Sequence, residues 1–245
     1  MRRMYAGGGL ELSLLMQRAR STGVTTALDM AFPDPFSDAG RADWGAILKR
    51  TLPFVDIFLP SVEEILFMIR RETYERLQRE APGGKIVAAV TPELLSDLAR
   101  ELMSLGAKIV VLKLGDRGMY LRTGEAESLR AMGRAAPADP EAWSRQELWA
   151  PCFKVRVAGT TGSGDATIAG FLSALLRDFS PRRAVTAAVA VGACNVEAPD
   201  ALSGLRSWED TLARIAAGWD RLPVELSAPG WRWSQEDQVW VGPAS

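Results

Sequence analysis

The stretch Gly159-Thr160-Thr161-Gly162-Ser163-Gly164-Asp165 runs without a break into Ala166-Thr167-Ile168-Ala169-Gly170-Phe171-Leu172-Ser173-Ala174-Leu175-Leu176. Before it, Phe153-Lys154-Val155-Arg156-Val157 alternates apolar and charged residues and predicts a strand. After it, Ile168, Phe171, Leu172, Leu175 and Leu176 fall at the i, i+3, i+4 spacing of a core-facing helical stripe. The whole reads as strand, glycine-rich turn, helix. Glycines on both sides of Ser163 let backbone N–H groups converge at the helix start with no Cβ in the way. Those free N–H groups, with a helix dipole worth roughly half a positive charge, make an anion site.

Asp165 stands in the first turn of that helix. One reading makes it an ordinary carboxylate partner of the dipole. The other starts from charge: an acid beside a phosphate nest repels its ligand unless it has work to do. The work that fits is general base, taking a proton from a substrate hydroxyl while neighbouring N–H groups hold a transferring phosphoryl group. The chain has no histidine, so a proton acceptor near neutral pH must be a carboxylate or a rarer group.

Thr160-Thr161-Gly162-Ser163-Gly164-Asp165-Ala166 resembles the signature of the ribokinase-like (PfkB-type) carbohydrate and nucleoside kinases. The resemblance implies that Gly162, Ser163 and Gly164 form the anion hole and that Asp165 activates the sugar hydroxyl. It implies ATP and Mg2+ as cofactors and a small sugar or nucleoside as substrate. Gly159 departs from the family, which often has an aspartate there that helps hold a monovalent cation.

Composition bounds the rest. With 245 residues, 47% of them hydrophobic, the chain can bury a core. A net charge of −1 excludes a nucleic-acid or membrane partner held by bulk charge. Cys152 and Cys194 are too few for a disulfide framework and show no metal spacing, so a reduced cytoplasm is the expected location.

Taken in order, Leu10 to Arg20 has helical spacing, and Val24 to Asp29 reads as a buried strand. Asp29 at its end is a substrate-site candidate, because open α/β sheets bind ligands at strand C-termini; capping the following loop explains it equally well. Ala46 to Arg50 is helical, and Val55 to Leu59 is a second strand. Ser61 and Glu64 then have capping-box spacing. They also match the family's Asn-x-x-Glu motif with the asparagine replaced, so the resemblance makes Glu64 the residue that places the metal. Thr91-Pro92-Glu93 starts a helix that Gly106 ends.

Lys108 to Leu114 is a near-continuous apolar strand, and Gly115-Asp116-Arg117-Gly118 turns into Met119 to Arg122. A plain hairpin has the same look. The resemblance places Lys113, Gly115, Asp116 and Gly118 on the ATP side, with Thr160 from the glycine turn and Asn195 from the alanine-rich helix Ala184 to Val196. Thr123 to Trp149 reads as an inserted loop. Ser207-Trp208-Glu209-Asp210 starts a last helix, and residues 226–245 form a tryptophan-rich tail distinct from a kinase domain over 1–225.

Strands alternating with helices predict a three-layer αβα, Rossmann-like domain with a mostly parallel sheet. The resemblance covers roughly residues 7 to 206 and only the later part of the family, without its lid strands. An exposed sheet edge, and with it a homodimer, is therefore expected. A kinase-like nucleotide-binding module without turnover is the alternative. A dinucleotide fingerprint lacks its third glycine here, and no lysine follows the glycines as a Walker A loop requires.

Overall fold

The computed structural model describes residues 2–243 and divides into two compact units. The first takes the chain to Leu112 and again from Arg122 to Ala136; the second takes Lys113–Leu121 and the chain from Pro137 on.

The chain opens with α1 (Arg2–Ser21), β1 (Ala27–Leu28), α2 (Trp44–Thr51), β2 (Ile57–Phe58), α3 (Val62–Ile69), α4 (Arg71–Glu80), α5 (Ile86–Ala89) and α6 (Pro92–Ser104). It continues through β3 (Ile109–Lys113), β4 (Met119–Thr123) and α7 (Ala126–Arg130). In the first unit β1, β2 and β3 pair in parallel, with Ala27 opposite Ile57 and Ile57 opposite Ile109. Ile57, Phe58 and Ile109 to Leu112 are almost wholly buried, as parallel strands covered on both faces must be. Each such side chain contributes about 1.5–3 kcal/mol of burial.

One polar cluster ties the three strands together at their starts. Asp56, one residue before β2, is 1% exposed and accepts from the Thr26 N–H at 2.9 Å and the Thr26 hydroxyl at 3.1 Å. Lys108, one residue before β3, places its ammonium 2.7 Å from the Asp56 carboxylate. Register here follows from a buried charge meeting its partner as well as from the apolar pattern.

The second unit adds α8 (Pro140–Trp143), β5 (Glu147–Ala150), α9 (Ser163–Leu175), α10 (Pro181–Asn195), α11 (Trp208–Ala216), β6 (Arg232–Ser234) and β7 (Val239–Val241). Here β5, β7 and β6 pair antiparallel in that order. Helices α9 and α10 lie close because glycine lets them. A Cβ on Gly170 would come within 3.0 Å of Ala188 Cα, and one on Gly192 would collide with Thr167 Oγ1.

The α/β class read from the sequence is what the structure has, with four corrections of detail. The strand expected over Val24–Asp29 is reduced to Ala27–Leu28, so Asp29 lies just past it. Phe153–Val157 is not a strand: it makes one isolated bridge, from Phe153 to Arg221, and has no ladder. The loop expected over Thr123–Trp149 contains α7, α8 and most of β5. The tail at 226–245 forms β6 and β7, and β7 adds to β5, so the sheet of this unit is antiparallel. Ala244 and Ser245 lie outside the described residues.

Candidate active site

The second unit contains a cavity of about 260 Å³. Lys113, Asp116, Thr160, Ser163 and Thr167 give it polar side chains; Val155, Val157, Val189, Val196 and Leu222 give it an apolar wall. A pocket of this size and mixture suits one aromatic ring system with a polar extension.

The polar end is built on the start of α9. Gly162 caps that helix at φ +75°, a left-handed conformation that glycine adopts without cost. A Cβ there would also meet Ala201 Cβ at 2.8 Å. The Ser163 N–H donates to Thr160 O at 3.2 Å, and the Ala166 N–H to Gly162 O at 2.8 Å. Between them, the N–H groups of Gly164 and Asp165 have no backbone acceptor among the described residues, the usual condition of a helix's first turn.

Lys113, at the end of β3, brings its Nζ to 3.7 Å from where a Cβ on Gly164 would project. A cation beside the positive end of a helix is unfavourable unless an anion shares the space. Lysine, open amides and the glycine that admits the lysine therefore make one anion site.

Of the residues singled out from the sequence, Lys113, Gly115, Asp116, Gly118, Thr160, Ser163 and Gly164 line this cavity together. Gly162 shapes it from the cap position. Asp165 follows in the same turn, exposed to solvent and outside the cavity lining, with no ion pair or side-chain hydrogen bond among the described residues. Asn195 does not line it either. It is fully buried and donates to Ala201 O at 2.7 Å, so it fixes the loop that packs on Gly162.

Asp29 and Glu64 belong to the first unit. Glu64 forms the capping box that its spacing announces: its carboxylate accepts from the Ser61 N–H at 2.7 Å, and its own N–H donates to Ser61 Oγ at 3.2 Å. No group of three or more acid, cysteine or histidine residues placed to hold a metal occurs among the described residues. A metal held by this chain alone is not what these residues fit.

Gly159 is explained by crowding. A Cβ there would meet Pro199 O at 2.7 Å, so an aspartate side chain has no room at this position.

Sequence reasoning missed the apolar wall. Cys152 and Phe153 belong to it, and burial, followed by the charge of Asp116, pushes the Cys152 thiol up to about 12. The alternation at 153, 155 and 157 was a true signal of one-sided burial, but the side chains face a cavity.

Residues 11–208 match the pfkB family carbohydrate kinase. The chain belongs to that family. A curated relative, 2-dehydro-3-deoxygluconokinase of Bacillus subtilis (strain 168), is 29% identical over 137 residues, covering 56% of this chain and 36% of the relative. Among solved structures, a ribokinase from Thermotoga maritima superposes with TM-score 0.52 at 22% identity, over 82% of this chain and 52% of that one. A fructokinase with bound ATP from Xylella fastidiosa gives TM-score 0.60 at 17% identity, over 88% and 59%. These structures establish the pfkB-type fold. The chain spans about a third of the curated relative's length and rather more than half of the solved ones.

Proposed function

We propose that this pfkB-family chain serves ATP-dependent transfer of a phosphoryl group to a hydroxyl of a sugar or sugar-like acceptor, nucleosides included. One observation carries the reading: the lysine of β3 and the open amides of α9 meet at the polar end of a cavity whose other end is apolar. A nucleoside triphosphate has that division, an aromatic base at one end and phosphates at the other.

In this reading Lys113 and the Gly162–Gly164 turn hold the phosphates and stabilise the charge that develops on the transferring group, the main work in phosphoryl transfer. Gly115, Asp116, Gly118 and Thr160 border the nucleotide. Asp165 accepts the proton of the acceptor hydroxyl as its oxygen bonds to the γ-phosphorus and the bond to the ADP oxygen breaks. Its solvent-facing, unpaired carboxylate is compatible with meeting a second substrate from outside the nucleotide cavity. Asp29 is the residue assigned to that substrate.

A putatively bridging metal is not needed to describe what these residues do. Mg2+ would arrive on the nucleotide's own phosphates, as this ion commonly does, with Glu64 as the assigned acid. The reaction is placed in the cytoplasm, in keeping with two unbridged cysteines. Among the described residues no helix is long and apolar enough to cross a membrane.

ATP titration with and without a panel of sugars and nucleosides tests the reading. ATP binding with a phosphorylated product from at least one acceptor is expected. Binding with no product from any acceptor would instead make the chain a nucleotide-binding module without turnover.

A further inference from the structure

The apolar wall is held in place by residues that lie beyond the family match, which ends at 208. Phe153 lines the cavity and is 2% exposed. Trp219 stacks on its ring at 4.4 Å between centroids and 20° between planes. The Arg221 guanidinium lies 4.0 Å from the same ring centre. Two groups that close cannot share a face, so the ring is sandwiched and offers the cavity only its edge. Arg214 covers Trp219 at 3.6 Å and is held by Glu197 through two hydrogen bonds of 2.7 Å.

Arg221 is the unusual member. It donates to Pro151 O at 2.7 Å and Thr186 Oγ1 at 3.0 Å, and has no ion pair among the described residues. Its Nε–H is buried without an acceptor. Filling the same volume with an aliphatic side chain would avoid that desolvation. A guanidinium supplies something an aliphatic chain does not: a planar face against the ring and a fixed fork gripping two other segments. The backbone adds two further ties, Leu222 N–H to Cys152 O at 2.7 Å and Lys154 N–H to Asp220 O at 2.8 Å. Leu222 itself lines the cavity.

We propose that residues 219–222 are part of the nucleotide site, with Arg221 the positioning residue that holds Phe153 edge-on to the base. The proposal rests on the nucleotide reading of the cavity given above. Arg221 touches neither phosphate nor acceptor, so its loss affects affinity for the base and leaves the chemical step alone.

The test is ATP binding by calorimetry and steady-state kinetics on the full chain and on Arg221→Ala and Arg221→Lys. Arg221→Ala is expected to raise Kd and KM for ATP about 10-fold, with kcat and the acceptor KM changed less than about two-fold. Arg221→Lys, which keeps a charge over the ring but loses the fork, should fall between. Unchanged ATP affinity in a folded Arg221→Ala protein would overturn the proposal. So would equal losses in ATP KM, acceptor KM and kcat, the mark of a merely structural role. Should Arg221→Ala not fold, Trp219→Leu frees the other face of the ring and is expected to weaken ATP binding without changing kcat; no weakening would overturn the proposal as well. Failure of the wild type to bind ATP would overturn the function reading and this proposal together, whereas wild-type binding matched by the variants would overturn this one alone.

Discussion

The properties of individual residues here follow from space and charge. Gly162 must be glycine for two separate reasons, its positive φ and the nearness of Ala201. Gly162→Ala is expected to cost about 1–3 kcal/mol of stability in a urea melt, and to weaken nucleotide binding by moving the first turn of α9. Glu197 shows charge at work. Its hydrogen bonds from Arg214, followed by the nearby charges of Arg214 and Arg206 against some desolvation, hold its carboxyl below the ordinary 4.5. A carboxylate depressed in the folded state adds stability above its unfolded pKa and loses it as pH falls through the folded one. Glu197→Gln should therefore be less stable than wild type at pH 7, and the difference should close on acidification below about pH 4. Denaturant melts at the two pH values check this; a gap that persists in acid would contradict it.

Elements with local signals were legible from the sequence. α6 begins where Thr91-Pro92-Glu93 says it should, with Thr91 Oγ1 accepting from the Leu94 N–H. The α3 capping box was equally readable, because both of its partners are three residues apart. Phe153–Val157 was misread because alternation reports one-sided burial and not ladder pairing; the ladder is absent and the burial is real. β6 and β7 were missed because their evidence is tertiary: Trp233 meets Trp240 across the hairpin, and Trp240 donates to Val224 O. The tie at the start of β1, β2 and β3 was also invisible, since Thr26, Asp56 and Lys108 are far apart in sequence. Asp56→Ala leaves the buried Lys108 without its carboxylate and is expected to cost about 3–5 kcal/mol. A loss under about 1 kcal/mol in a chemical melt would show that the cluster does not hold the strands.

At the scale of the molecule, family membership rests on residues 11–208, while the cavity wall extends to Leu222. Sequence similarity and the functional cavity therefore have different limits. Leu10, Leu14 and Leu15 of α1 are 51%, 42% and 54% exposed, a group of large apolar side chains on one helix. Together with the short edge strand β1, they lead us to expect self-association of this chain at micromolar concentration. Size-exclusion chromatography with light scattering should show a species larger than 26.6 kDa; a clean monomer would contradict that.

The account depends most on what the exposed acid in the first turn of α9 does when phosphate and hydroxyl meet. Turnover of Asp165→Asn, measured beside its affinity for ATP, addresses this directly. The expected result is a loss of about 10²- to 10⁴-fold in kcat with ATP binding nearly unchanged. Full turnover in the asparagine variant would contradict it.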